Sequence, residues 1–132
     1  MTNTIYDDLK VVEKDIKGLG ERAEQMYVEN IDDNKQGSAE FIFEGLYNKV
    51  KNNVNGLDED LYHTRNDMRR GVLSVIIKGV TKATGEAIQE VSELGNWEAY
   101  NAMDYLIEYS QTISKVYHNL NLIEMKMEKE EE

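Results

Sequence analysis

A chain of 132 residues carrying 15 basic and 26 acidic side chains, with a formal net charge of -11, has room for one domain of ordinary size. It contains no cysteine and no proline, which excludes disulfides, cysteine-built zinc sites and thiol catalysis, and removes the main helix breaker. The acidity works against binding nucleic-acid backbones or anionic membranes and favours a basic protein partner.

Residues 1–17 mix acids with apolar side chains and lack the basic start and apolar core of a secretory leader. The most apolar run, Gly71–Val80, spans about ten residues and includes Lys78, against the ~20 needed to cross a bilayer. The expectation is a cytoplasmic protein.

Ile5, Leu9, Val12, Ile16, Leu19, Ala23 and Met26 alternate steps of four and three, the a and d spacing of a heptad. They predict a first helix that runs through Gly18 and Gly20 without losing phase, capped by Thr2 or Asn3, with Asp7 and Asp8 in its first turn. The polar run Asp32–Gly37 predicts a loop. Ser38 then caps a second helix with Phe41, Ile42, Phe43, Leu46, Tyr47, Val50 and Val54 on its apolar face, ending near residues 53–56.

A long third helix is expected over Leu57–Leu94, capped by Asp58, with Leu57, Leu61 and Met68 facing the core. Along it Gly71, Val75, Gly79, Ala83 and Ala87 recur every four residues, a ridge of mostly small side chains that lets another backbone approach closely. The ridge is expected to pack on the fourth helix or to form a homodimer seam. Gly95 and Asn96 make a turn, and the fourth helix follows from Trp97 with Tyr100, Met103, Leu106, Ile107, Ile113, Val116, Tyr117, Leu120, Ile123 and Met127 inward. The expected fold is all-α: an antiparallel bundle of about four helices, residues 1–127 forming one domain. Its C-terminal hairpin would project beyond the core, and residues 128–132 would form an acidic, disordered tail.

Chemistry is sparse. No Gly-x-Ser-x-Gly motif and no glycine-rich phosphate loop after a strand occurs. Arg65, Arg69 and Arg70 fall on roughly one face and are expected to pair with Asp58, Glu59 or Asp67. Tyr6, Tyr27 and Tyr109 lie off the stripes and are the expected partner contacts, since tyrosine anchors interfaces well.

Three local patterns resemble known families. Leu61-Tyr62-His63-Thr64-Arg65-Asn66 resembles the phosphoacceptor segment of dimeric histidine-kinase hairpins, without the acidic residue that follows the histidine there. Glu90-Val91-Ser92-Glu93 followed by Asn101-Ala102-Met103-Asp104 resembles the all-α nucleotide pyrophosphohydrolases, with Asn101 where that family has Glu. That likeness implies magnesium held by Glu90, Glu93 and Asp104. Tyr100-Asn101-Ala102-Met103-Asp104 resembles the export signal of helical-hairpin substrates of type VII secretion.

Charge and size point instead to a non-catalytic interaction module without cofactor. It would self-associate through helices and bind a basic, nucleic-acid-handling protein, as a phage or mobile-element inhibitor would. The magnesium enzyme and the secreted hairpin are the two alternatives.

Overall fold

The computed structural model describes residues 4–30, 38–58, 65–95 and 98–131. Four helices account for nearly all of them: α1 Ile5–Glu29, α2 Ser38–Val54, α3 Asn66–Ser92 and α4 Glu98–Glu131. A single 3-10 turn, Asn55–Asp58, follows α2, and no strand occurs among the described residues. No described helix is long and apolar enough to cross a membrane.

α1 forms as its heptad dictates, and all seven seam residues from Ile5 to Met26 are buried. Thr4 is the N-cap: its Oγ1 accepts from the Asp7 backbone N–H at 3.1 Å, one residue beyond the expected caps, which lie outside the described residues. Gly18 and Gly20 leave the helix unbroken, because the buried apolar anchors around them, four before, Leu19 between and two after, outweigh a propensity deficit of about 1 kcal/mol each.

Neighbouring helices run antiparallel in chain order. Tyr27 stacks on Tyr47 near one end of α1 and α2, while Val54 packs over Gly20 further along. Lys49 reaches Glu86 and Asn53 meets Gly79 between α2 and α3. Arg70 lies beside Glu124 between α3 and α4, and Asp8–Lys126 and Leu19–Tyr109 tie α4 back to α1. The result is an up-down-up-down four-helix bundle, the topology that short connections impose.

Three expectations need correction. The C-terminal hairpin does not project beyond the core. α1 covers α4 to its far end, where Ile5 and Met127 are both buried, and α4 continues as helix through 128–130 to Glu131. The described α3 begins at Asn66 and Asp58 is the last residue of the 3-10 turn; the stretch that Asp58 was expected to cap, with Leu61, lies outside the described residues, and Met68 is exposed. On α4 the buried row is Ala102, Leu106, Tyr109, Ile113, Val116, Leu120, Ile123 and Met127, so Tyr100 and Ile107 face outward.

The small-residue ridge also behaves differently from a straight seam. A four-residue step overshoots one helical turn by about 40°, so five such positions wind nearly halfway round the helix. Gly71 faces open space and Val75 is 69% exposed, whereas Ala83 and Ala87 are in the core. Gly79, midway, is where α2 comes close: a Cβ there would run into the Asn53 side chain. The ridge therefore turns toward the interior, and at Gly79 its close approach is to α2.

Candidate interaction surface

Three contacts mark one level across the bundle. Tyr109 donates its hydroxyl to the Leu19 carbonyl at 2.8 Å, Val54 packs over Gly20, and Asn53 meets Gly79. On one side of that level lie the end of α1, most of α2, the end of α3 and the start of α4. The other side holds the start of α1, most of α3's first half and the long remainder of α4.

The charges divide unequally across this level. On the α2 side the described acidic side chains are Glu21, Glu24 and Glu29 of α1, Glu40 and Glu44 of α2, Glu86, Glu90 and Glu93 of α3, and Asp104 and Glu108 of α4. Against these ten stand four bases: Arg22, Lys49, Lys51 and Lys82. On the far side eight acids face ten bases, the latter including Lys10, Lys14, Lys17, Arg65, Arg69 and Arg70. Among the described residues, the acidity that looks diffuse along the chain is thus gathered at one end of the bundle.

Two of the four bases at the acidic end are committed to ion pairs. Lys49 donates to Glu86 Oε2 at 2.7 Å, and Arg22 lies 4.0 Å from Glu29 while donating to Gln25. The titration directions follow the Lys49–Glu86 pair and the burial of two tyrosines, with neighbouring carboxylates adding to the rises. The hydrogen bond to Glu86 raises Lys49, opposed by partial burial and helped by Glu90, and the same bond lowers Glu86. Burial raises Tyr27, and the carboxylates Glu44 and Glu40 add to the rise. Burial, then Glu29 beside the hydroxyl, raises Tyr105, with Arg22 opposing.

The tyrosines expected at a partner contact separate. Tyr109 is 1% exposed and belongs to the core, so it cannot touch a partner; its burial pushes the phenol pKa well up. Its position had a signal, since Tyr109 falls on the unbroken four-and-three row from Ala102 to Met127. Tyr27 is half-buried against Tyr47, with ring centroids 6.0 Å apart. Tyr6 is at the opposite end from the acidic surface, under Lys10 and the Arg69 guanidinium.

Glu90, Glu93 and Asp104 do not assemble as a metal site. All three are exposed, and no group of three or more His, Asp or Glu able to hold a metal occurs among the described residues. The reason lies in helix phase: Glu86, one turn before Glu90, pairs with α2, so this row looks toward α2 instead of across the turn to α4. Tyr100 and Asp104 are both exposed on α4, but the chain forms four packed helices, not a two-helix hairpin. His63 lies outside the described residues, and His118 is exposed.

The arginine trio does not share a face. Arg65 pairs with Asp67 at 3.5 Å, Arg70 lies 3.8 Å from Glu124, and Arg69 turns inward to Glu13 on α1. Nothing in local spacing signalled a buried arginine, because its partner is 56 residues away in the chain.

No family model, curated protein or solved structure matches this chain.

Proposed function

We propose that the protein is a non-catalytic binding module that presents the acidic end of its bundle to a basic surface on another protein. The observation that carries this is the partition of charge across the Leu19–Tyr109 level: ten described acids against four bases on one side, eight against ten on the other. A field concentrated at one end of a rigid bundle steers and orients a cationic partner, which a diffuse charge of the same size does not. Glu90 and Glu93 set exposed carboxylates along α3 at about one helical turn, roughly 5.4 Å, so a groove built for phosphates finds anionic oxygens in a row. A nucleic-acid-handling protein is the partner class that this arrangement fits, and an inhibitor acting for a phage or mobile element is its most specific form.

The test uses a lysine- and arginine-rich peptide as a defined probe, titrated calorimetrically over a salt series. A variant carrying Glu24→Gln, Glu90→Gln, Glu93→Gln and Asp104→Asn is compared with one losing equal charge at the far half, through Asp7→Asn, Asp67→Asn, Glu128→Gln and Glu130→Gln. The first is expected to bind at least about tenfold more weakly, the second to bind nearly as the parent does, and parental binding to weaken as salt rises. Equal losses in the two variants would leave only net charge at work and refute a localised site.

A further inference from the structure

The outward face of α4 carries apolar residues that no helix of the bundle covers. Tyr100, Ile107, Leu122 and Met125 are each about half exposed or more. Tyr100 and Ile107 lie two turns apart, and Met125 lies five turns beyond Ile107 on the same line of the helix. Between them the face is polar, with Gln111 and Ser114 both exposed or partly so. Val11 of α1 stands beside Leu122 across a shallow groove between the two helices.

Charge on this face changes sign along the helix. Asp104 and Glu108 occupy the first half, Lys115 the second, and all three are exposed. Glu108 and Lys115 are seven residues apart and hold the same heptad position, on one flank of the stripe.

We infer that α4 pairs antiparallel with α4 of a second copy, about a two-fold axis crossing the helix between Gln111 and Ser114. Turned about that axis, Tyr100 meets Met125 of the second copy and Ile107 its His118, while Glu108 comes within two residues, about 3 Å of rise, of its Lys115, each contact occurring twice. The face is thus complementary to itself, as an isologous interface must be. A parallel pairing would instead stack Asp104 and Glu108 on their own copies and set Lys115 against Lys115, which like charges oppose. The pairing points the two acidic ends in opposite directions, so the dimer offers two docking ends. It rests on α4 alone and does not depend on what those ends bind.

The absence of cysteine makes the register directly testable. The probe is the chain itself, carrying Tyr100→Cys and Met125→Cys together or singly, under mild oxidation, with helicity followed by circular dichroism. Positions 100 and 125 are about 37 Å apart along one helix, so neither can reach its own copy in an antiparallel pair. The double variant is expected to form disulfide-linked dimers, and each single variant to stay monomeric on denaturing gels. Sedimentation equilibrium should give a dimer for the parent and a dissociation constant at least about tenfold higher for Ile107→Asp, an exposed position whose change spares the fold. The combined Glu108→Lys/Lys115→Glu chain should dimerise as the parent does, while either change alone weakens it. A parent that is monomeric throughout the concentration range, single-cysteine variants that cross-link as well as the double, or an Ile107→Asp chain of unchanged mass would each overturn the pairing.

Discussion

Arg69 of α3 donates from Nη2 to Glu13 Oε2 of α1 at 2.7 Å, and both side chains are largely out of water, 2% and 16% exposed. The guanidinium also lies 4.8 Å from the Tyr6 ring centroid. Its Nε and Nη1 have no hydrogen-bond partner among the described residues. A buried cation so incompletely matched depends on its one carboxylate.

The two halves of this pair should therefore respond unequally to mutation. Glu13→Gln leaves the guanidinium charged, buried and without a counterion, and is expected to cost about 3 kcal/mol. Arg69→Met removes the charge and both unmatched nitrogens while keeping an apolar stem of similar length, and should cost less than half as much. Urea unfolding midpoints at neutral pH compare them. An Arg69→Met chain as unstable as Glu13→Gln would show that the guanidinium stabilises the fold in its own right.

Tyr109 makes a second prediction, with a pH signature. Its hydroxyl bonds to Leu19 in the core, and Tyr109→Phe should cost about 1 kcal/mol, the net value of one such bond. Burial holds the folded phenol above its ordinary value of 10.0. The unfolded chain releases this proton near pH 10 while the folded chain keeps it, so the unfolded state binds fewer protons there and stability falls as pH rises. Below that pH the contribution is fully present. Thermal melts between pH 9 and 11 should show a steeper alkaline decline for the parent than for Tyr109→Phe, and parallel declines would contradict the assignment.

Where the sequence was legible, the reason was local periodicity. α1 could be read residue by residue because its seam repeats without a gap and meets two neighbours along one stripe. On α4 six of the ten expected inward residues, Leu106, Ile113, Val116, Leu120, Ile123 and Met127, are buried, and Met103 and Tyr117 pack against the core. Tyr100 and Ile107 look like core but face outward, while Ala102 and Tyr109, which the four-and-three step from Leu106 marks, are buried instead. The ridge from Gly71 to Ala87 misled for a geometric reason, since equal steps of four do not stay on one side of a helix. The acidic end could not be seen at all, because it is assembled from the termini of all four helices and exists only once their directions are fixed.

The helical glycines of α3 give a third prediction. Nothing lies within 4 Å of a Cβ built at Gly71 or Gly85, and both are exposed in mid-helix. Gly71→Ala and Gly85→Ala should each raise stability by roughly 0.5–1 kcal/mol through helix propensity and a less disordered unfolded chain. Gly79→Ala should lose that gain, because the new methyl would displace the Asn53 amide from its 2.8 Å bond to the Lys49 carbonyl. Adding Asn53→Ala to Gly79→Ala removes the obstruction, so the double-mutant cycle should show favourable coupling. Additive effects in that cycle would mean Asn53 is not what limits the site.

The far end of α4 supplies the last prediction, through two truncations. Met127 is the final buried residue of α4 and lies at the same end of the bundle as Ile5, whereas 128–130 are exposed helix. Deleting residues 128–132 removes no buried apolar side chain and should shift stability by no more than about 0.5 kcal/mol, as changes at solvated termini usually do. Deleting residues 124–132 removes Met127 and the partners of two ion pairs, Lys126 to Asp8 and Glu124 to Arg70. Exposed pairs of this kind contribute little, up to about 1 kcal/mol each, so most of the loss should come from uncovering the start of α1. A cost of about 2–3 kcal/mol is expected, close to that of Met127→Ala plus a smaller electrostatic share. Thermal unfolding of the two chains at low and high salt separates these contributions. If high salt abolished most of the difference between them, charge rather than burial would be what closes this end of the bundle.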